Sequence, residues 1–158
     1  MLRFLLLVLL LFSNHLLAAQ KLSPLNAQDI AALNAQRQLI QHFQSTRDLL
    51  EKYPTVAGKL GTLRSLLDVR QFQPEQTYEL QAMGVVLGDV FVQDMGFEWV
   101  MVSDEYGRDP ALQYRNSSIL LFPLTMISKR IESGEAVDVF ALYNGIADIA
   151  RRRIRALE

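Results

Sequence analysis

The side chains that could carry chemistry in this sequence are mainly carboxylates, because the chain of 158 residues contains no cysteine and only two histidines. The lack of cysteine excludes a disulfide framework, a thiolate zinc site and a cysteine nucleophile. His15 lies in an apolar leader, which leaves His42 alone and excludes a multi-histidine metal site within one chain. No Gly-x-Ser-x-Gly motif accompanies His42, so a serine hydrolase is not indicated. No cofactor is predicted.

Asp89 is the carboxylate with the most unusual surroundings, because its helical neighbours include Val85, Val86 and Val92. A carboxylate among apolar side chains either performs acid–base chemistry or is satisfied by a structural partner. Arg37 is placed comparably, on the apolar stripe of the first predicted helix, where a guanidinium either reaches solvent or meets a carboxylate. We interpret Arg37 and Asp89 as buried polar groups, and the sequence does not establish that they pair.

A second group of polar residues occupies a predicted turn between two strands and consists of Asp104, Glu105, Tyr106, Arg108 and Asp109. Its spacing does not match a calcium-binding loop, which needs oxygen ligands at fixed alternating positions. Tyrosine and arginine are favoured at protein interfaces, so the turn is a candidate partner-binding hairpin. The alternative interpretation is a solvated turn with no partner.

The last predicted helix ends in a basic cluster formed by Arg151, Arg152, Arg153 and Arg155. Cations in the last turn of a helix complement the negative end of its dipole, and that role accounts for them. The alternative is contact with anionic lipid head groups or with an acidic partner. Because the whole chain carries 16 basic and 17 acidic residues, a net charge of −1, nucleic-acid binding is not predicted.

The first 19 residues have the layout of a secretory signal peptide, with Arg3 before an apolar run and small residues before Gln20. The run is shorter than the roughly 20 residues that a membrane-spanning helix needs. We expect cleavage near Ala19 and release to the periplasm or outside the cell, with an uncleaved inner-membrane anchor as the alternative. Residues 20–58 are predicted to form an N-terminal helix and a connecting segment, which join the core of residues 59–158 in a single domain.

Hydrophobic periodicity predicts the elements that position these residues. The region from Pro74 to Gly96 is apolar nearly all round, which is typical of a central buried helix, and Gly84 and Gly88 favour close packing against it. Alternation after Gly96 predicts a hairpin and a third strand. The sequence therefore predicts an α+β fold, with a central buried helix and flanking helices packed on a small three-stranded antiparallel meander. Further helices are predicted over about residues 26–45, 60–70, 123–134 and 138–154.

Three blocks of the sequence resemble a known family in the same order. They are Leu-Gln-Ala-Met-Gly-Val-Val-Leu-Gly-Asp at residues 80–89, Trp-Val-Met-Val-Ser-Asp-Glu-Tyr-Gly at residues 99–107, and Leu-Phe-Pro-Leu-Thr-Met-Ile-Ser-Lys-Arg at residues 121–130. The family consists of uncharacterised exported bacterial domains, domain of unknown function 3806, and the resemblance covers roughly residues 60–155. It implies a small exported domain and transfers no catalytic residue.

These observations favour a non-catalytic periplasmic binding or accessory domain, an adaptor or inhibitor of another envelope protein. One alternative is an envelope hydrolase that works through carboxylates, with Asp89 or Glu98 central, although no spacing selects a pair across a cleft. Another alternative is a protein held at the inner membrane by its leader. The sequence does not decide whether the protein is an enzyme.

Overall fold

The computed structural model describes residues 20–44, 46–105 and 107–157. The leader, and with it the predicted cleavage near Ala19, lies outside the described residues. Within them the chain forms six helices and four strands. In chain order they are β1 (Lys21–Pro24), α1 (Ala27–Gln41), α2 (Arg47–Lys52), α3 (Val56–Asp68), α4 (Thr77–Met95), β2 (Phe97–Asp104), β3 (Gly107–Tyr114), β4 (Leu120–Leu121), α5 (Leu124–Glu132) and α6 (Val139–Arg155).

The α+β prediction is confirmed, and the antiparallel sheet has one strand more than the predicted meander. Strand β1 pairs with β2 from Lys21 opposite Ser103 to Pro24 opposite Val100, which gives the order β1-β2-β3-β4. In the sequence alone, Ser23 followed by Pro24 fits the start of the first helix, as a cap residue with proline in the first turn. A proline is also compatible with an edge strand, because its missing N–H can face away from the sheet and costs no hydrogen bond there.

Helix α1 begins after Asn26, which fixes its first turn with a reciprocal cap. The Asn26 side chain accepts a hydrogen bond from the Asp29 N–H, and the Asp29 carboxylate accepts one from the Asn26 N–H. This capping box satisfies backbone donors that a helix start otherwise leaves free. The predicted connecting segment also contains the short helix α2, which begins after Thr46 and has no buried residue.

Helix α4 is the centre of the fold, as its apolar sequence predicts. Its buried residues include the unbroken run from Ala82 to Gly88, so every face of the helix is covered along this stretch. Helices α1, α3 and α5 and strand β2 pack around it. It ends at Gly96, whose φ of 71° lies in the left-handed region that glycine adopts without strain.

Two glycines on α4 allow this close packing. A Cβ atom on Gly84 would lie 2.5 Å from the carbonyl oxygen of Pro123 and 2.6 Å from the Cα atom of Leu124, at the start of α5. A Cβ atom on Gly88 would lie 2.7 Å from the Cη2 atom of the Trp99 ring and 2.9 Å from the Pro123 ring. The close packing that was predicted from the spacing of these glycines is therefore packing within the core of the domain.

We predict that Gly84→Ala destabilises the protein by about 3 kcal/mol, because the added methyl group meets backbone atoms that cannot rotate away. The matched control is Gly61→Ala in α3, where a Cβ atom meets nothing within 4 Å. There the alanine is expected to stabilise the protein by up to about 1 kcal/mol through its higher helix propensity. Urea unfolding of both variants measures the difference, and equal stabilities would contradict the packing described.

Candidate functional site

The Asp89 carboxylate joins three elements of the fold. Arg37 on α1 donates two hydrogen bonds to it, from Nε to Oδ2 at 2.7 Å and from Nη2 to Oδ1 at 2.8 Å. Trp99 on β2 donates a third, from Nε1 to Oδ1 at 2.9 Å. The side chains of Arg37 and Asp89 are 29% and 18% exposed, so the pair is largely shielded from water. Two-point hydrogen bonding to a carboxylate is the strongest geometry available to an arginine.

Local sequence explains why these three side chains meet. Gly88 precedes Asp89 and leaves the space on α4 that the Trp99 ring fills. Arg37 lies between the buried residues Leu33 and Ile40 on α1, the helix that packs on α4. Its remaining donor group is bound by Asn34, from Nη1 to Oδ1 at 2.9 Å. The structure thus brings together Arg37 and Asp89, the two predicted buried polar residues.

Tyr53 and Lys59 lie near this carboxylate, and both burial and the charge of Asp89 affect the pKa values of these two residues. Burial raises the pKa of Tyr53 to about 12, and the negative charge of Asp89 acts in the same direction. Burial lowers the pKa of Lys59, whose ammonium donates to Gln93 Oε1 at 2.8 Å and to the Pro54 carbonyl at 2.9 Å. The hydrogen bonds from Arg37 to Asp89 raise the pKa of the arginine above its ordinary value.

This geometry gives Asp89 a structural role. Both of its oxygens accept hydrogen bonds from protein donors, which leaves the carboxylate poorly placed to exchange a proton with a substrate or activate a water molecule. Glu98, the other carboxylate considered for hydrolysis, is exposed on β2. Among the described residues, no side chain is hydrogen-bonded to both Glu98 and Asp89 in a way that would orient them as a catalytic pair.

The predicted partner-binding hairpin contains a contact that the sequence analysis missed. Arg108 donates to both oxygens of Asp29, from Nη1 at 2.5 Å and from Nη2 at 2.6 Å. Its guanidinium is thus held by the first turn of α1, while Glu105 and Asp109 are exposed and Asp104 is half-buried. Tyr106 lies outside the described residues. A partner-binding role for the hairpin stays a prediction, and Arg108 has a structural role beside it.

Asp29 is the residue whose importance sequence reasoning did not find. The signal available was the capping pair of Asn26 and Asp29 three residues apart, which marks a helix start but not a distant arginine. The Arg108 guanidinium holds the pKa of the Asp29 carboxyl below its ordinary value of 3.8. The same contact raises the pKa of Arg108.

The four arginines at the end of α6 differ in their surroundings. Arg151 donates to Asp94 Oδ2 on α4 at 3.1 Å and to Asp148 Oδ1 at 3.4 Å. Asp94 also accepts a hydrogen bond from the Tyr143 hydroxyl, and burial together with this carboxylate raises the pKa of Tyr143 to about 12. All four arginines are exposed, but Arg152, Arg153 and Arg155 form no ion pair with any described residue.

A groove of about 550 Å³ lies between the end of α3, the start of α4 and the loop from α5 to α6. Its floor includes the buried side chains of Leu66, Phe72, Leu80 and Met83. Its rim is polar and exposed, and consists of Asp68, Arg70, Gln71, Gln73 and Glu135. An apolar floor with a few polar groups around it is the usual anatomy of a binding site. The lining of this groove comes from three separate segments of the chain, so no local sequence pattern indicates it.

The described residues contain neither a membrane-spanning helix nor a cluster of metal-ligating side chains. None of the helices in this part of the chain is long and apolar enough to cross a membrane, in agreement with the prediction of no transmembrane span there. The same residues contain no group of three or more His, Cys, Asp or Glu side chains that could hold a metal ion.

The fold and its contacts define a small α+β domain built around one buried helix. Residues 59–143 match the family model described as "Domain of unknown function (DUF3806)". The chain belongs to this family, which confirms the resemblance drawn from the three sequence blocks. The match begins within α3, so Asp29 and Arg37 lie before it and their partners Arg108 and Asp89 lie inside it.

The fold is also similar to that of a protein of known structure from Bacteroides thetaiotaomicron VPI-5482. The TM-score is 0.66 at 17% sequence identity, over 82% of this chain and 47% of the other. The chain thus spans about half the length of that relative, and at this identity the likeness shows the fold alone. No curated protein sequence matches the chain.

We predict that Asp89→Asn lowers the free energy of unfolding by about 2–3 kcal/mol, because Arg37 keeps its largely buried charge and loses its counter-charge. The control is Asp48→Asn, which removes an exposed ion pair with Lys52 and is expected to cost less than about 0.5 kcal/mol. Thermal or urea unfolding at neutral pH gives both values. An Asp89→Asn protein as stable as the parent would refute the structural role of this carboxylate.

The contact between Asp29 and Arg108 predicts a pH dependence. Because the pKa of Asp29 is lower in the folded protein than its ordinary 3.8, its stabilising contribution is present above that value and is lost as pH falls through the folded pKa. Asp29→Asn should therefore be less stable than the parent by a constant amount between neutral pH and about pH 5, and the difference should shrink in more acidic solution. Unfolding curves across this range test it, and a difference that grows on acidification would contradict the assignment.

Proposed function

We propose that the chain is an exported, non-catalytic binding domain of the bacterial envelope, and that it acts in the periplasm on a segment of another envelope protein. The observation that carries the proposal is the groove between α3, α4 and the loop after α5. All of its lining residues lie between Leu66 and Val137, inside the span that the family model matches. A binding role uses this feature directly, whereas Asp89, the carboxylate that the hydrolase alternative depends on, is held by Arg37 and Trp99.

Backbone geometry at the rim supports a binding role for Arg70. Helix α3 ends in a motif in which the Arg70 N–H donates to the Leu67 carbonyl and the Gln71 N–H to the Leu66 carbonyl, and this motif places Arg70 at a φ of 50°. Glycine is the residue that adopts this left-handed conformation freely. An arginine is strained there, and strained residues that persist tend to cluster at functional sites.

The opposite side of the groove supplies an internal comparison. Helix α5 ends in the same motif, and its left-handed position is filled by Gly134 at a φ of 78°. Gly134 also lines the groove. Two equivalent helix ends thus face one groove, and only one of them carries a side chain at the strained position. We infer that the Arg70 guanidinium is kept for contact with the bound segment.

The groove suits an apolar stretch of polypeptide with polar ends. The partly exposed lining residues Leu67 and Ile131 offer apolar contact area to the inserted side chains, above a floor of buried residues. Exposed Gln71 and Glu135 can hydrogen-bond to the backbone of the segment. Phe72 is itself packed against Phe43, with ring centroids 5.5 Å apart. The floor is therefore formed before a partner arrives, which reduces the entropy lost on binding.

A photo-crosslinking side chain in place of Gln71 tests the groove in living cells. We expect one reproducible adduct with an envelope protein at this position and no adduct from the same side chain in place of Gln28, an exposed glutamine on α1 that does not line the groove. The partner, once purified, should bind the protein directly. Equal labelling from both positions, or no adduct at Gln71, would contradict binding in the groove.

The substitution Arg70→Gly is expected to change the stability of the protein and its binding of the partner in opposite directions. We predict that it raises the free energy of unfolding by about 0.5–1 kcal/mol, because glycine relieves the left-handed strain. The same change should abolish the adduct at Gln71, since the guanidinium is lost. Urea unfolding and crosslinking of one preparation give both results, and a stabilised variant with undiminished crosslinking would refute the role of Arg70.

The proposed location is tested by the mass of the protein recovered from the envelope. Export with processing predicts a chain that begins near Gln20 and is released with the soluble periplasmic contents. A chain that keeps residues 1–19 and sediments with the inner membrane would contradict release and favour the anchored alternative.

A further inference from the structure

We propose that the last turns of α6 form a docking surface for an anionic phospholipid membrane, separate from the groove. The surface, here named the α6 terminal face, consists of Ile149, Arg152, Arg153 and Leu157. The two arginines follow Ile149 by three and four residues on the helix, and Leu157 follows Arg153 by four residues in the closing turn. Residues with this spacing share one side of a helix.

The α6 terminal face is accessible and combines apolar with cationic groups. Ile149 is 50% exposed and Leu157 is 57% exposed, which makes them two of the more exposed large apolar residues in the described part of the chain. Arg152 and Arg153 are exposed on this face, and Arg155, three residues after Arg152, is exposed next to Arg152 at its edge. Tyr143, Ala147 and Ala150, on another side of α6, are buried in the core, so this face belongs to a helix that the core holds in place.

The three outer arginines are available to a ligand, in contrast to the fourth. Arg151 is engaged by Asp94 and Asp148. Arg152, Arg153 and Arg155 form no ion pair with any residue in the described ranges. The cluster of four arginines in the sequence is therefore divided by the fold into one structural residue and three outward-facing cations.

An anionic bilayer matches this combination better than the helix dipole alone. The dipole explains cations in a last helical turn but does not explain why large apolar side chains are exposed among them. At a membrane surface, guanidinium groups bind lipid phosphates in two-point contacts, while Ile149 and Leu157 enter the boundary between head groups and acyl chains. The positive charge of the face thus favours an anionic partner, and its exposed apolar residues favour a lipid bilayer over an acidic protein surface.

The experiment measures co-sedimentation of the protein, as recovered from the periplasm, with vesicles of phosphatidylcholine and phosphatidylglycerol in a two-to-one ratio. We expect binding that weakens with added salt. Each arginine near such a surface contributes about fivefold in affinity, so Arg152→Gln, Arg153→Gln and Arg155→Gln together should lower binding by about a hundredfold. Ile149→Ser with Leu157→Ser should also weaken binding, by at least about tenfold.

The matched control removes three positive charges elsewhere, with Arg47→Gln, Lys52→Gln and Arg64→Gln, all exposed and each paired with a neighbouring carboxylate. Its vesicle affinity should fall far less than that of the α6 variant. Equal loss in both would show that only net charge matters and would overturn the proposal. Undiminished binding to pure phosphatidylcholine, or binding to poly-glutamate without binding to vesicles, would overturn it as well.

Discussion

The contact on which this structure depends is the Asp89 carboxylate on α4, which accepts hydrogen bonds from Arg37 on α1 and from Trp99 on β2. A charge whose side chain is only 18% exposed is tolerable only with such partners. The contact therefore fixes how α1 and the sheet sit against the central helix. Gly88 belongs to the same arrangement, because a larger residue would displace the Trp99 ring.

Charged groups in this protein fall into two sets with different consequences. Asp89 with Arg37, and Asp29 with Arg108, join α1 to elements far away in the sequence and hold the fold together. Arg70 and the outer arginines of α6 have no such partners among the described residues, and on these the proposed binding surfaces rest. Pairing, and not charge alone, thus distinguishes a structural arginine from one that is free to meet a ligand.

The sequence predicted the parts of the fold that depend on local pattern, and it failed where distant segments meet. The apolar run of α4 and the alternation after Gly96 were sufficient for the central helix and the hairpin. Strand β1 was missed because four residues are too few for their alternation to stand out, and because Ser23 and Pro24 also fit a helix start. The sequence suggested Arg37 and Asp89 from their apolar neighbours, but the partner of Arg108 and the groove depend on tertiary contacts that no local pattern encodes.

Native-state hydrogen exchange tests most directly whether the Asp89 contact makes α1 part of one cooperative unit with the family core. We expect the amides of Leu33 and Ile40 on α1 to exchange with the same opening free energy as those of Val86 and Val90 on α4. In the Asp89→Asn protein, the opening free energy of the α1 amides should be lower than that of the α4 amides. If α1 already exchanges much more easily in the parent protein, or if the substitution leaves its protection unchanged, the contact does not have the role described.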